Sequence, residues 1–290
     1  MVEVYLVDAF AEEAGGGNPA GVMPVADHLS DSQMQEIAKV MGVSETAFVL
    51  KGGQDYDVEV RFFTPTEEVD LCGHATIATF SLLNELSKLP NGKRELIQKT
   101  KAGLLEIKIR DDGSVLMRQA TPKKIDKNLI VGDLQEAMSI NAEAIGVDGV
   151  MNQAEIWSTG LEDILLPIKD VKTLKAMAPN MDKLTKLSQS LDVIGVHAFS
   201  IDEHQRVWCR NFAPACGIPE ESATGTSNGA LGAYLHLNLW KEDTSSFIAH
   251  QGDWMDQASR IHVNVLTKEE IEVWVGGKAK LRYVKEITHL

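Results

Sequence analysis

Two tripeptides, Cys72-Gly73-His74 and Thr224-Gly225-Thr226, stand where residue type and spacing suggest chemistry. Each has the same prelude. Arg61-Phe62-Phe63-Thr64-Pro65 leads through an acidic loop to the first, and Arg210-Asn211-Phe212-Ala213-Pro214 leads through an acidic loop to the second. A helix of small and apolar residues follows each tripeptide. A glycine at a helix start lets backbone approach a ligand closely. The first N–H groups have no partner within the helix, and the helix dipole adds positive potential there. Such an end receives a carboxylate or phosphate. Two of them facing across a cleft would hold a small anion without Arg or Lys, through the N–H groups around Gly73 and Gly225. A five-residue match is also what common strand–turn–helix grammar yields by coincidence.

Other chemistries find little support. The eight histidines are dispersed, with no zinc-ligand spacing. No dinucleotide fingerprint, Walker A loop, His-Glu-x-x-His or Gly-x-Ser-x-Gly is found. No cofactor and no metal are therefore expected. Ser227 and Asn228 read as helix-packing or capping residues. The three cysteines, Cys72, Cys209 and Cys216, are odd in number and not in metal-type pairs. A disulfide framework is not expected, and a reducing cytoplasm is the expected location.

The elements that must position these residues are partly legible. Val2 to Phe10 reads as a strand, Gly15-Gly16-Gly17-Asn18-Pro19 as a loop, and Gly21 to Val25 as a short strand. Ser30 is a helix N-cap with Gln33 completing a capping box. Met34, Ile37, Ala38 and Met41 share one face, and Gly42 ends the run. Glu45 to Leu50 and Tyr56 to Phe63 are strands, the second alternating Val58, Val60 and Phe62 with polar residues. Asp111-Asp112-Gly113 joins Leu105–Arg110 to Ser114–Arg118 as a hairpin. The middle, from about Pro122 to Gly149, is less legible, with a helix near Leu134 to Ile140. Two amphipathic helices cover Val171 to Leu191. Strands follow at Val193–Ile201 and Gln205–Phe212, and the tail from Phe247 is strand-like.

Bulk composition sets bounds. The chain has 290 residues, 44% of them hydrophobic and 24% charged, which suits a sizeable globular core. A net charge of −14 argues against nucleic acid and anionic membrane surfaces as partners. No apolar run approaches the roughly 18 residues of a spanning helix. The residues from Met1 to Tyr5 carry no basic region or cleavage site, so no signal peptide is expected.

Several ordered motifs resemble one known family. Gly17-Asn18-Pro19-Ala20-Gly21-Val22, Ser44-Glu45-Thr46-Ala47-Phe48, Phe63-Thr64-Pro65, Asp70-Leu71-Cys72-Gly73-His74-Ala75-Thr76 and Ala223-Thr224-Gly225-Thr226 are similar to the signature of phenazine-biosynthesis PhzF-like proteins. Gln251-Gly252 and Val275-Gly276-Gly277 extend the resemblance from about residue 4 to the C-terminus. It implies an α+β, diaminopimelate epimerase-like fold. Two pseudo-symmetric halves would each be a curved mixed β-sheet or barrel wrapped round a central helix. The halves would comprise residues 1–118 plus 280–290, and 119–279, with the substrate site between them. Homodimers are expected.

The resemblance also implies chemistry: a cofactor-independent isomerase that shuttles a proton on a small carboxylate-bearing metabolite. Glu45 matches the family's acid/base glutamate, and a carboxyl in a water-poor cleft can take and return a proton. His74 matches the family histidine. Gly73, Gly225 and Thr226 would bind substrate, and Asn18 would lie in a loop over the site. Without the motif, Glu45 reads equally as a polar residue at a strand start, His74 as a structural hydrogen-bonding group, and Asn18 as turn chemistry. Thr226 stands where the family usually has serine. Glu221-Ser222 stand where it usually has Asp-Pro, so the carboxylate survives one methylene longer and without proline's rigidity. A shift of about 1 Å can cost on the order of 100-fold in rate. Two alternatives stand beside the isomerase: a non-catalytic small-anion binding protein, and a thiol-dependent racemase using Cys72. The racemase needs a second thiol, and Thr224 occupies that position.

Overall fold

The computed structural model describes residues 1–147 and 153–288. The last two residues of the C-terminal segment, 289–290, and the end of the poorly legible middle, 148–149, lie outside the described residues. The chain divides into two compact units, Met1–Arg118 with Gly276–Leu290, and Gln119–Val275. The first unit runs β1 (Val2–Ala9), β2 (Asn18–Met23), α1 (Asp31–Met41), β3 (Thr46–Lys51), β4 (Val58–Phe63), β5 (Glu68–Val69), α2 (Gly73–Glu85), β6 (Glu95–Thr100), β7 (Gly103–Ile109) and β8 (Val115–Arg118). The second runs β9 (Lys123–Ile125), α3 (Val131–Met138), β10 (Glu155–Ser158), β11 (Glu162–Pro167), α4 (Val171–Ala176), α5 (Met181–Leu191), β12 (Val196–Ile201), β13 (Val207–Ala213), β14 (Ile218–Glu221), α6 (Gly225–Leu235), β15 (Thr244–Gln251), β16 (Ser259–Thr267) and β17 (Ile271–Gly277). The final strand, β18 (Ala279–Ile287), returns to the first unit and pairs antiparallel with β1. Among the described residues no helix is long and apolar enough to cross a membrane.

The five-residue repeat extends to whole topologies. In the first unit β1/β2 is antiparallel, β2/β3 parallel, β3/β4 antiparallel, β4/β6 parallel and β6/β7 antiparallel, with β5 folded back on β4. The second unit repeats the same directions through β10, β11, β12, β13, β15 and β16, with β14 folded back on β13. Each unit is thus a mixed sheet around one helix. Helix α2 contacts β1, β2, β3, β8 and β18, while α6 contacts β10, β11, β15 and β16. Both helices are buried on nearly every side, so neither shows an apolar face opposite a polar one. Gly232 of α6 lets the sheet come close, since an added Cβ would lie 2.5 Å from Val263 Cγ1. The outer helix α1 behaves as its sequence suggests. Ser30 and Gln33 form the capping box, Met34, Ile37, Ala38 and Met41 are buried, and Gly42 closes it at φ 68°.

One residue type fixes the approach to both central helices. Arg61 of β4 donates to both carboxylate oxygens of Glu68, at 2.7 and 2.9 Å, and stacks over Phe63. Arg210 of β13 does the same to Glu220, at 2.8 and 2.8 Å, over Phe212. The planar guanidinium matches a carboxylate fork, so each pair fixes orientation as well as distance. The return strands β5 and β14 are too short to hold themselves, and these pairs pin them. Their further partners differ. Arg61 reaches the exposed Asp31 of α1, and Glu68 also meets Lys101 at 2.7 Å. Arg210 instead donates to the carbonyls of Met177, Leu174 and Lys175 at 2.7, 3.1 and 3.3 Å.

Helix α6 carries an extended buried polar network. His197 of β12 lies 3.0 Å from Asn211 Oδ1 and 3.3 Å from Asn228 Oδ1. Asn228 donates to the Thr224 carbonyl at 2.9 Å and to Gln251 Oε1 at 2.8 Å. Asp163 of β11, fully buried, accepts from the Ser227 hydroxyl, while its Oδ1 accepts nothing among the described residues. Burial pushes the two titratable members in opposite directions. The His197 imidazole falls to about 4 despite its amide partners, and the Asp163 carboxyl rises to about 6 despite the Ser227 hydroxyl and Gly195 N–H.

Two expectations follow for stability. Arg210→Met should cost about 2–4 kcal/mol, because it strands Glu220 and three carbonyls in partly buried surroundings. Arg61→Met should cost less, since Glu68 keeps Lys101. Urea denaturation of the two variants checks the order, and equal losses would contradict it. The second concerns pH. His197 is depressed in the folded state, so its contribution is full above about 6.5 and drains as pH falls through about 4. Asp163 is raised, so folding takes up its proton below about 6 and gains stability as pH falls. Each is worth roughly 3 kcal/mol, and the two slopes nearly cancel between about pH 6 and 4. Asp163→Asn should therefore lose stability on acidification more steeply than wild type, and His197→Gln less steeply. Parallel stability profiles for all three proteins would refute the assignment.

Candidate functional site

In the first unit three segments converge. Glu45 sits immediately before β3, and Cys72 and His74 occupy the N-cap and second position of α2. The strand β3 lies beside β2, so Asn18 and Pro19 at the start of β2 come to the same end. His74 is the hub. Its Nε2 lies 3.3 Å from Glu45 Oε2 and 3.3 Å from Ser44 Oγ, and its Nδ1 lies 3.3 Å from Cys72 Sγ. Burial lowers the His74 pKa, while the Glu45 carboxylate and the Pro19 carbonyl pull it up. The ring is therefore held neutral, able to donate at one nitrogen and accept at the other. Glu45 Oε2 is buried and accepts no hydrogen bond among the described residues, although the side chain keeps 21% of its surface exposed. A buried carboxylate oxygen so placed is costly unless a ligand or a proton meets it. Glu45, Cys72 and His74 also offer one oxygen, one sulfur and one nitrogen, all within 4.8 Å of one another, so they are the residues that could hold a metal.

The start of α2 lacks the side-chain cap that α1, α4 and α5 carry. Ser30, Asp170 and Asn180 cap α1, α4 and α5 with side-chain oxygens. Neither Cys72 nor Thr224 does this for α2 or α6. Packing does not demand glycine at 73 either, since an added Cβ would meet only Met117 Cε, at 3.6 Å.

The second unit carries the matching turn. Glu221 ends β14 and accepts from the Thr224 hydroxyl at 2.9 Å. Gln251 braces the turn, donating to the Glu221 carbonyl at 2.8 Å and to Thr224 Oγ1 at 3.0 Å. Gly225 and Thr226 begin α6, and the Thr226 carbonyl accepts from Thr159 Oγ1 at 2.9 Å. Thiol chemistry is poorly served here. Cys209 is buried in β13, where desolvation pushes its thiol well above the usual range. Cys216 is exposed, and burial of part of its surface with the charges of Asp163 and Glu221 raises it too.

The residues singled out from the sequence therefore fall into two groups. Glu45, His74, Asn18 and Gly73 gather in the first unit, and Glu221, Gly225 and Thr226 in the second. Asn18 departs from expectation in one respect. It opens strand β2 opposite Ala9 and is 8% exposed, where a loop was expected. Pairing with β1 overrides the local Gly-Asn-Pro punctuation. Sequence reasoning missed Ser44, Thr159, Asp163, His197 and Gln251. Ser44 adjoins Glu45 and Gln251 precedes a glycine in a quoted motif, but the other three carry no local signal.

Known proteins resemble this chain along nearly its whole length. The family model described as "Phenazine biosynthesis-like protein" matches residues 7–283. An uncharacterized isomerase of Clostridium acetobutylicum is 38% identical, over 98% of this chain and 97% of its own. Another from Escherichia coli is 34% identical, again over 98% and 97%. A crystal structure of a Bacillus anthracis phenazine biosynthesis protein of the PhzF family superposes with a TM-score of 0.88 at 29% identity, covering 99% of each chain. A hydroxyproline epimerase from Agrobacterium vitis shares the fold, with a TM-score of 0.58 at 14% identity over 99% of this chain and 90% of its own. The chain thus belongs to the PhzF family of isomerases, on a fold shared with amino-acid epimerases.

Proposed function

We propose that the protein moves a proton on a small carboxylate without a cofactor, with Glu45 as the acid/base. The observation that carries this reading is the buried Glu45 Oε2, 3.3 Å from a neutral His74 and beside the uncapped start of α2. In this reading the substrate carboxylate meets the N–H groups at Gly73, where the helix dipole favours it. Glu45 removes a proton from the adjacent carbon and returns it at another position. His74 donates a hydrogen bond to Glu45 or to the substrate and keeps the proton from escaping to water. Asn18 shapes the wall beside His74. Gly225 and Thr226 offer a second set of N–H and hydroxyl donors, and Glu221 a second carboxylate, held by Thr224 and Gln251.

The second unit supports a one-carboxylate mechanism over a two-thiol one. Its candidate thiols are poor thiolates, and Thr224 is engaged with Glu221. An acidic chain suits the reading as well, because backbone donors do not depend on net charge. A homodimer in the cytoplasm completes the proposal.

Deuterium exchange tests the reading. The purified protein is incubated in heavy water with small amino, hydroxy and cyclic dienoic carboxylates, and proton NMR follows label incorporation and double-bond migration. Glu45→Gln should lose on the order of 10²–10⁴ in rate while staying folded. Cys72→Ala should retain activity. Equal turnover in wild type and Glu45→Gln would remove Glu45 from the mechanism. Loss in Cys72→Ala with retention in Glu45→Gln would favour the thiol racemase.

A further inference from the structure

Sequence spacing hides one relation that folding creates. Cys72 and His74 lie in one helical turn, and Glu45 comes to them from the segment before a neighbouring strand. His74 Nε2 is 3.3 Å from Glu45 Oε2 and 3.9 Å from Cys72 Sγ. A tetrahedral zinc ion with N, O and S ligands has edges of about 3.3 Å between N and O and about 3.6 Å between N and S, from its bond lengths of about 2.0–2.3 Å. The observed separations differ from these by only a small side-chain rotation. Glu45 immediately precedes β3 and Cys72 immediately precedes α2, while His74 is the second residue of that helix.

Charge and ligand type point the same way. One carboxylate and one thiolate neutralise a divalent cation, and a neutral imidazole adds no charge. A neutral complex is what a buried site favours. Sulfur and imidazole select a thiophilic ion over Mg²⁺ or Ca²⁺, which need shells of oxygen. A helix N-terminus favours the deprotonated sulfur that a metal ligand takes.

We propose that Glu45, Cys72 and His74 form a binding site for a thiophilic divalent cation of the Zn²⁺ class. Bound there, the ion takes Glu45 and His74 as ligands, so it withdraws the groups that the proton-transfer reading needs. The site therefore acts as an inhibitory one, in competition with the carboxylate substrate. The binding itself rests on donor geometry alone and stands apart from that reading.

Cobalt is the probe. Chelator-treated, reduced full-length protein is titrated with Co²⁺, and the near-ultraviolet thiolate-to-cobalt band and the visible d–d bands are followed. One equivalent should saturate both, and one equivalent of Zn²⁺ should displace them. Cys72→Ser should abolish the near-ultraviolet band, whereas Cys209→Ser and Cys216→Ser should keep it. His74→Gln and Glu45→Gln should each weaken binding at least about tenfold, and they serve as the test if Cys72→Ser does not fold. A band that survives Cys72→Ser, saturation far from one equivalent, or wild-type affinity in both His74→Gln and Glu45→Gln would overturn the site. No substrate enters the readout, so its failure is distinct from a failure of the isomerase proposal.

Discussion

The bidentate arginine–carboxylate pair is the constraint on which each half of this protein depends. Arg61 with Glu68 and Arg210 with Glu220 hold a short return strand against its parent strand. That fixes the direction from which the chain enters the glycine turn, and hence where the following helix starts. A lysine would keep the charge but not the orientation, because its ammonium is a point rather than a fork. The repeat noticed first as Arg-x-Phe-x-Pro is the sequence trace of this device, since the phenylalanine is the surface over which the guanidinium lies. The two copies have since diverged in their second partners, an exposed aspartate in one and three helix-end carbonyls in the other.

From that constraint comes the way the proposed carboxylate site would be built in an acidic chain. The central helices begin without side-chain caps on their first N–H groups. Leaving them so costs stability, and the enclosing sheets supply it through burial of both helices on all sides. The outer helices α1, α4 and α5, which have no such burial, are capped by Ser30, Asp170 and Asn180. Helix α3, also outside the central pair, begins uncapped at Ile130, so a missing cap alone does not mark a helix that presents its terminus.

Legibility in the sequence followed solvent exposure. Helix α1 could be read to its caps, because one face is wet and the other dry, and its boundaries carry polar signals. The alternating strand β4 and the hairpin of β7 and β8 were legible for the same reason. Strands β6, β9 and β14 were not. They are short or polar, and partners far along the chain make them strands. The two-sided burial of α2 and α6 leaves no periodicity, so only their small and apolar content and the glycine before them marked them as helices. The contacts of Glu45 with His74, and of Asp163 with Ser227, belong to the folded state, and no local pattern announces them. Motif resemblance supplied Glu45 and His74, while nothing supplied Asp163.

The pairing of β18 with β1 carries a consequence for synthesis. Val2 lies opposite Ile287 and Ala9 opposite Ala279, so the first strand made is paired by the last. The second unit, continuous from Gln119 to Val275, has its whole sequence available before the first unit does. On a ribosome, the N-terminal half therefore emerges early and completes its sheet late. Until then one edge of β1 is an unpaired strand with Leu6 and Val7 in it, the kind of edge that other chains can join. The unit that begins first in this chain is therefore the one whose sheet can be completed last.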